Sequence, residues 1–197
     1  MKLKSGDTLI LATHNPGKLS EISALLSPYG LLIGSSGNLG LEEPEETEDT
    51  FSENALLKAR FVSSKTGHIA LADDSGLVVP ALNGQPGVYS ARWGGLEKNQ
   101  QLANKKVIDL LQDKPRNAHF VCFLAIVWPN GDEMTFEGKS HGFLTWPERG
   151  ELGFGFDPIF IPNGDSRTYG EMTKLEKSQT SHRSQAFAKF KDQLLNA

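Results

Sequence analysis

The sequence predicts a mixed α/β fold built around a bent β-sheet. Strand and helix patterns alternate early in the chain, which is typical of strands joined by packed helices. Later, Pro129-Asn130-Gly131 separates two strand-like runs and predicts a hairpin. A length of 197 residues suits one domain, or one domain with an inserted lobe. We therefore expect residues 1–197 to form a single domain.

The spacing of apolar residues predicts the individual elements. Helices are expected over 16–26, 50–65, 96–111 and 181–195. Strands are expected over 8–13, 31–34, 68–72, 77–79, 118–128 and 132–139. Glycine and proline make 80–95 and 150–164 candidate ordered loops.

Composition limits the partners that the protein can have. The formal net charge of −4 disfavours bulk attraction to nucleic acid or to an anionic membrane. A protein of this charge that handles phosphates needs a local cluster of cations. The one cysteine, Cys122, is expected to be a buried thiol. No apolar run approaches ~18 residues, so we expect a cytoplasmic location.

Two predicted helix starts combine backbone N–H groups with basic side chains. In Thr13-His14-Asn15-Pro16-Gly17-Lys18, a strand turns into a helix with Asn15 as its N-cap. Free N–H groups at such a start suit a phosphate. Ser181-His182-Arg183 repeats the arrangement, with Lys177 shortly before it. An ordinary capped helix and a basic surface turn are the alternatives.

Lys58 interrupts an apolar helix face. At about 100° per residue, the helix over 50–65 places Ala55, Ala59 and Val62 on one face, with Asn54 and Lys58 inside it. Such a lysine is costly unless it reaches a partner or a cleft. The alternative is a side chain that extends to solvent. We favour a functional role for Lys58.

Carboxylates cluster around the predicted end of the strand over 68–72. Asp73-Asp74-Ser75-Gly76 follows it, and strand ends are where α/β sheets bind ligands. Glu45 and Glu46 lie in an acidic run before the helix over 50–65. One of these glutamates and one aspartate predict a Mg²⁺ site completed by phosphate oxygens and waters. A plain turn and a solvated loop are the alternatives.

Gly153-Phe154-Gly155-Phe156-Asp157-Pro158 combines glycines with aromatic side chains. Glycines let backbone approach a ligand closely, and aromatic rings beside it form a slot for a flat base. Core aromatics that flank a turn give a similar pattern.

Six segments in one order resemble those of the inosine triphosphate pyrophosphatase family, and within it the bacterial dITP/XTP pyrophosphatases. The segments are THNPGK at 13–18, EETEDTFSENALLKA at 45–59, ADDSGL at 72–77, PGVYSAR at 86–92, GFGFDPIF at 153–160 and EKSQTSHR at 176–183. The resemblance implies an elongated two-lobed fold around a long bent mixed sheet with a central substrate cleft. It also implies a homodimer that hydrolyses dITP, ITP and XTP to monophosphate and pyrophosphate.

The resemblance further implies roles for single residues. Those implied to contact substrate are Thr13, His14, Asn15, Pro16, Gly17, Lys18, Ser75, Phe154, Gly155, Phe156, Asp157, Lys177, His182 and Arg183. Asp74 and either Glu45 or Glu46 are implied to hold Mg²⁺, and Asp74, Lys18 and Lys58 to be catalytic.

These residues suggest a mechanism. Water attacks the α-phosphorus, and Asp74 either takes its proton or holds the metal that acidifies it. A donor from Arg183, His182 or the backbone near Asp157 favours the six-position carbonyl of hypoxanthine and xanthine over the adenine amine.

Rival hypotheses are a pyrophosphatase for modified pyrimidine triphosphates and a nucleotide sensor that does not cleave. A nucleic-acid binding protein is the least favoured.

Overall fold

The computed structural model describes residues 2–95, 97 and 99–195. In chain order the strands are β1 (Thr8–Ala12), β2 (Leu32–Ser35), β3 (Ile69–Val78), β4 (Asn117–Val127), β5 (Glu133–Leu144) and β6 (Phe160–Pro162). The α-helices are α1 (Pro16–Leu26), α2 (Phe51–Thr66), α3 (Gln100–Leu111), α4 (Lys174–Ser178) and α5 (His182–Leu194).

The strands form one sheet in the order β2-β1-β3-β4-β5-β6. β1 pairs in parallel with both β2 and β3, whereas β5 and β6 pair antiparallel. The prediction of a mixed α/β sheet is therefore confirmed. The predicted hairpin is confirmed too, because the Trp128 N–H donates to the Asp132 carbonyl across the turn at 2.9 Å. None of the described helices is long and apolar enough to span a bilayer.

The chain divides into two compact units. The first comprises the described parts of Met1–Asp74, Cys122–Gly138 and Arg183–Ala197, and the second comprises those of Ser75–Val121 and Lys139–His182.

In the first unit, helices cover both faces of the sheet. Leu9, Leu11 and Leu71 belong to a core cluster with α1 and α5. Ile10, Ala12, Ala70 and Ala72 belong to a separate cluster with α2. This separation follows from the period of two along a strand, because successive side chains point to opposite faces.

In the second unit, one apolar cluster holds aromatic residues together with side chains of α3. Its buried members include Leu77, Val107, Leu111, Phe120, Phe156, Phe160 and Tyr169. The Phe120 ring lies 4.7 Å from that of Phe160, measured between centroids. Residues that follow β5, among them Phe156, Phe160 and Tyr169, therefore pack in an apolar core with side chains of β3, β4 and α3.

The structure corrects three predicted boundaries. β3 runs without interruption from Ile69 to Val78, so the predicted break between the strands over 68–72 and 77–79 is wrong. α3 begins only at Gln100, where the Asn99 side chain accepts from the Leu102 N–H at 3.1 Å. Leu96, where we expected that helix to start, lies outside the described residues. β5 extends to Leu144, five residues beyond the predicted end at Lys139.

Candidate active site

The two adjacent aspartates of β3 lie on opposite faces of the strand. Asp73 shares the side of Leu71, which packs with α1 and α5, and Asp74 shares the side of Ala72, which packs with α2. Both carboxylates are buried, with residue exposures of 1% and 4%. The two carboxylates therefore belong to two separate sites in the first unit.

On the α2 side, Lys58 joins two carboxylates. Its Nζ donates to Asp74 Oδ1 at 2.7 Å and to Glu46 Oε1 at 2.8 Å. The Lys58 side chain is 4% exposed, so the prediction that it reaches a partner rather than solvent is confirmed. Burial opposes its charge, but Asp74 and Glu46 outweigh burial and raise the pKa of Lys58.

The two carboxyl groups of this trio differ in acidity. Burial is the largest influence on Asp74, and with the nearby charge of Glu46 it raises the pKa of Asp74 to about 6 despite Lys58. Burial acts in the same direction on Glu46, but Lys58 outweighs it and holds the pKa of Glu46 below its usual value. Within the trio, Glu46 therefore remains an anion near neutral pH, whereas the Asp74 carboxyl can exchange a proton there.

The carboxylate oxygens of the trio are of the kind that a hard divalent cation binds. Asp74 Oδ2 is buried and accepts no hydrogen bond from the described residues, although Asp74 Oδ1 is bonded to Lys58. Of the two candidate glutamates, Glu46 belongs to this trio through its bond to Lys58, whereas Glu45 is exposed. Within the described residues, three or more acidic, histidine or cysteine ligands do not converge on one point. A cation here would need phosphate oxygens and waters to complete its shell, as Mg²⁺ accepts.

On the opposite face, Asp73 is the centre of a second ion network. Arg183 Nε donates to Asp73 Oδ2 at 2.8 Å, and Lys18 Nζ lies 2.8 Å from Asp73 Oδ1. Cys122 Sγ also donates to Asp73 at 3.0 Å, so the predicted buried thiol is confirmed and has a partner. Burial disfavours the Asp73 anion, but Arg183 and Lys18 outweigh it and lower the pKa of Asp73 well below its usual value.

Arg183 lies inside this network and is 1% exposed. Besides Asp73, its guanidinium donates to Glu21 through a short contact. Its guanidinium thus pairs with carboxylates of the first unit, and base recognition by Arg183 stays a prediction. The sequence patterns did not identify Asp73 and Glu21 as partners of Arg183. The available signal was the spacing of Lys18 and Glu21, which lie three residues apart on α1.

The start of α1 is already capped. Asn15 Oδ1 accepts from the N–H groups of Gly17 and Lys18, at 2.9 and 3.1 Å. The Asn15 N–H in turn donates to Thr13 Oγ1 at 3.1 Å. The prediction of Asn15 as N-cap is confirmed. The expectation of free N–H groups is wrong, so a phosphate here must be held by side chains or displace the cap.

In the second unit, Asp157 organises the glycine-rich segment. Lys177 Nζ donates to Asp157 Oδ2 at 2.7 Å, and the Phe154 N–H donates to the same oxygen at 2.8 Å. Lys177 Nζ also lies 4.6 Å from the centroid of the Phe154 ring. At Gly153, φ is +76° and a Cβ atom would approach Asp157 Oδ2 to 2.2 Å. Only glycine fits at that position.

The aromatic residues of this segment have different environments. Phe154 is half-buried, whereas Phe156 is 4% exposed and belongs to the core of the second unit. The predicted slot therefore has one accessible phenylalanine ring, not two. His182 is 4% exposed and stacks on Phe120, with centroids 4.8 Å apart and rings inclined by 16°.

The remaining predicted residues are placed as follows. His14 is exposed, and its Nε2 lies 2.9 Å from the carbonyl of Leu41, which directly precedes the acidic loop over residues 42–49. Ser75 is half-buried within β3, and Gly155 has a φ of +65°. In the first unit the structure thus brings together Glu46, Lys58 and Asp74, and it places Lys18 against Asp73. In the second unit it brings together Lys177, Asp157 and Phe154.

Comparison with known proteins gives matches along nearly the whole chain. The model of the Ham1 family matches residues 9–193. A Caulobacter vibrioides protein named dITP/XTP pyrophosphatase is 50% identical over 194 residues, which cover 97% of this chain and 100% of that protein. A Gluconobacter oxydans protein of the same name is 48% identical, covering 96% of this chain and 91% of the relative. A Ham1 protein structure from Coxiella burnetii aligns with a TM-score of 0.86 at 36% identity, covering 94% of this chain and 97% of the other.

Proposed function

Because the chain belongs to the Ham1 family, we propose that it hydrolyses dITP, ITP and XTP to the nucleoside monophosphate and pyrophosphate. The names of the relatives support this substrate class. The observation that carries the proposal is the ion trio of Glu46, Lys58 and Asp74, in which Lys58 and Asp74 are buried and Glu46 is half-buried. A pure binding site for anions gains nothing from two carboxylates, whereas hydrolysis needs a group that accepts a proton.

We propose Mg²⁺ as the metal, held by Glu46 and Asp74. This choice is supported by the buried Asp74 Oδ2, to which no group in the described part of the chain donates a hydrogen bond. When bound, Mg²⁺ offsets charge on phosphate oxygens and lowers the pKa of a coordinated water. Glu46 is preferred to Glu45 because it shares Lys58 with Asp74.

The side chains of the first unit have separate tasks in the proposed reaction. Lys58 holds Glu46 and Asp74 at fixed positions. Asp74 either accepts the proton of the attacking water or holds the metal that acidifies that water. Lys18, anchored by Asp73, offsets charge that develops on the phosphates. The α-phosphorus is the proposed point of attack.

The side chains of the second unit carry the proposed recognition of the base. Phe154 offers a ring face, Lys177 an ammonium group and His182 an imidazole. A carbonyl at the six position accepts hydrogen bonds from such donors, whereas the adenine amine cannot. Buried donors left unpaired by the wrong base supply the selectivity.

Product analysis tests the proposed function. The purified protein with Mg²⁺ is incubated with XTP, ITP, dITP, GTP, ATP and dTTP, and phosphate products are separated. We expect pyrophosphate from the first three and little from the others, with Asp74→Asn as the inactive control. Orthophosphate would overturn cleavage between the α- and β-phosphates. Preferred cleavage of pyrimidine triphosphates would overturn the purine substrate class, and binding without cleavage would indicate a nucleotide sensor.

We also propose that the protein is a homodimer and acts in the cytoplasm, as the family resemblance implies. Light scattering of the purified protein checks the first proposal, which requires about twice the mass of 21.5 kDa expected for one chain. Cell fractionation checks the second, which requires recovery of the protein outside the membrane and periplasmic fractions.

A further inference from the structure

Asn54 is a buried amide on α2 whose side chain bonds to one peptide segment of the acidic loop. Its Nδ2 donates to the Glu48 carbonyl at 3.0 Å, and its Oδ1 accepts from the Glu48 N–H at 3.1 Å. The residue is 1% exposed. The amide thus satisfies both backbone groups of Glu48, much as a neighbouring β-strand would.

The position of Asn54 links this clamp to the candidate active site. Asn54 precedes Lys58 by four residues, so both side chains project from the same face of α2. Glu48 follows Glu46 by two residues. One helix face therefore holds the loop twice: Lys58 binds the carboxylate of Glu46, and Asn54 binds the backbone two residues later.

The charge of the loop explains why an amide is needed there. Between positions 42 and 49 the sequence carries six carboxylates: Glu42, Glu43, Glu45, Glu46, Glu48 and Asp49. All of them except Glu46 are exposed, and their mutual repulsion favours an extended, displaced loop. A neutral amide donates to the carbonyl and accepts from the N–H without adding charge. An aspartate at this position keeps the acceptor but loses the donor and adds a seventh negative charge.

We propose that Asn54 is a positioning residue, which holds the acidic loop by the backbone of Glu48 and so keeps the Glu46 carboxylate against Lys58 and Asp74. This inference rests on the proposed function only in giving Glu46 a part in hydrolysis. The clamp itself is a property of the loop, and it can be measured without substrate.

Hydrogen exchange of the metal-free, substrate-free protein tests the clamp directly. Asn54→Leu removes both hydrogen bonds, and Asn54→Asp, which is nearly isosteric, removes only the donor. We expect the Glu48 amide to exchange at least about tenfold faster in Asn54→Leu, while amides in the middle of α2 keep their protection. If Asn54→Leu does not fold, Asn54→Asp gives the same comparison with a smaller increase.

Asn104→Leu is the matched control, because Asn104 is also a buried helix amide with one donated and one accepted side-chain bond. Its partners, Glu148 and Gln100, lie in the second unit with it. This variant should leave the exchange of Glu48 unchanged. Equal exchange of the Glu48 amide in the wild type and in both Asn54 variants would overturn the clamp.

Turnover tests whether the clamp acts through Glu46. At saturating XTP and Mg²⁺, Asn54→Leu should lower kcat by about tenfold to a hundredfold, as loss of a supporting partner typically does. In a Glu46→Gln background the same substitution should change kcat less than about twofold, because the carboxylate that it positions is gone. Additive losses would show that Asn54 does not act through Glu46. If the wild type does not cleave XTP, the proposed function fails, while the exchange data still decide the clamp.

Discussion

Asp73 and Asp74 are consecutive residues of β3, yet their carboxylates pair with different lysines on opposite faces of the strand. Lys18 Nζ lies 2.8 Å from Asp73 Oδ1, and Lys58 Nζ lies 2.7 Å from Asp74 Oδ1. Asp73 is also bonded to Arg183 and Cys122. Asp74 keeps one buried oxygen that accepts no hydrogen bond within residues 2–95, 97 and 99–195. We therefore expect a substitution at Asp73 to lower mainly the stability of the fold, and a substitution at Asp74 to lower mainly the rate of hydrolysis.

Asp74→Asn should nearly abolish turnover of XTP and preserve the fold. Losing the proton acceptor should lower kcat by roughly 10²- to 10⁴-fold. Lys58 keeps Glu46 as a partner, so the free energy of unfolding should change by less than about 1 kcal/mol. Steady-state kinetics and urea unfolding check the two parts. Wild-type turnover in this variant would remove Asp74 from the mechanism.

Asp73→Asn should destabilise the protein strongly. Arg183 and Lys18 would lose their shared anion in a buried site, which typically costs about 3–5 kcal/mol. Urea unfolding measures the loss. Asp109→Asn is the control, because Asp109 forms an exposed pair with Lys105 on α3, and its loss should cost no more than about 0.5 kcal/mol. A cost for Asp73→Asn as small as that of the control would show that the network does not stabilise the fold.

Two substitutions at Asn15 should distinguish capping from phosphate binding. Asn15→Ala removes the cap of Gly17 and Lys18 and should cost about 1 kcal/mol of stability. Asn15→Asp keeps an acceptor and should retain stability, but its negative charge should raise the KM for XTP by about tenfold if the triphosphate approaches this helix start. An unchanged KM in Asn15→Asp would place the triphosphate elsewhere.

Gly153→Ala should disturb Asp157, whereas Gly155→Ala should not. Both glycines have positive φ, +76° and +65°, so each substitution adds a strain of about 1–2 kcal/mol. At Gly153 the added methyl group would collide with Asp157 Oδ2, whereas at Gly155 it would meet no atom of the described residues within 4 Å. We expect Gly153→Ala to lose at least about tenfold in kcat/KM for XTP beyond the loss of Gly155→Ala. Equal losses in the two variants would separate Asp157 from substrate recognition.

Arg167 should contribute to stability in a pH-dependent way. Its hydrogen bonds lower the pKa values of Asp165 and Glu176 to about 2. Because these folded-state pKa values lie below the ordinary ones, the stabilisation is present above pH 5 and is lost as the pH falls towards 2. The thermal midpoint of Arg167→Gln should therefore lie below that of the wild type at pH 6, and the two should converge near pH 2. Lys114→Gln removes the same charge from an exposed site and controls for net charge. A difference in thermal midpoint between Arg167→Gln and the wild type that stays constant from pH 6 to pH 2 would contradict the linkage.

The sequence was informative where a local pattern decides the structure. The bounds of α1, with Asn15 as its cap, follow from a strand, an N-cap and Pro16. The buried position of Lys58 follows from helical periodicity around Ala55 and Ala59. These features depend on residues within one or two turns, so the sequence alone can specify them.

Partners that come from distant segments could not be predicted in the same way. Asp73-Asp74-Ser75-Gly76 has the composition of a turn, but Asp73 stays in the strand because Arg183, 110 residues away, neutralises it. Asn54 was recognisable as unusual within an apolar face, yet its partner lies in an irregular loop without a repeating pattern. Phe156 was expected beside a base, but it packs with Phe160 and Tyr169 in the core of the second unit.

Hydrolysis of XTP in water enriched with the heavy oxygen isotope tests the central claim most directly, namely that water attacks the α-phosphorus with the help of Asp74. Mass spectrometry of both products locates the label. We predict that xanthosine monophosphate carries one labelled oxygen and that pyrophosphate carries none, with both products lost in Asp74→Asn. Label in pyrophosphate or in orthophosphate would show attack at another phosphorus and would contradict the proposed mechanism.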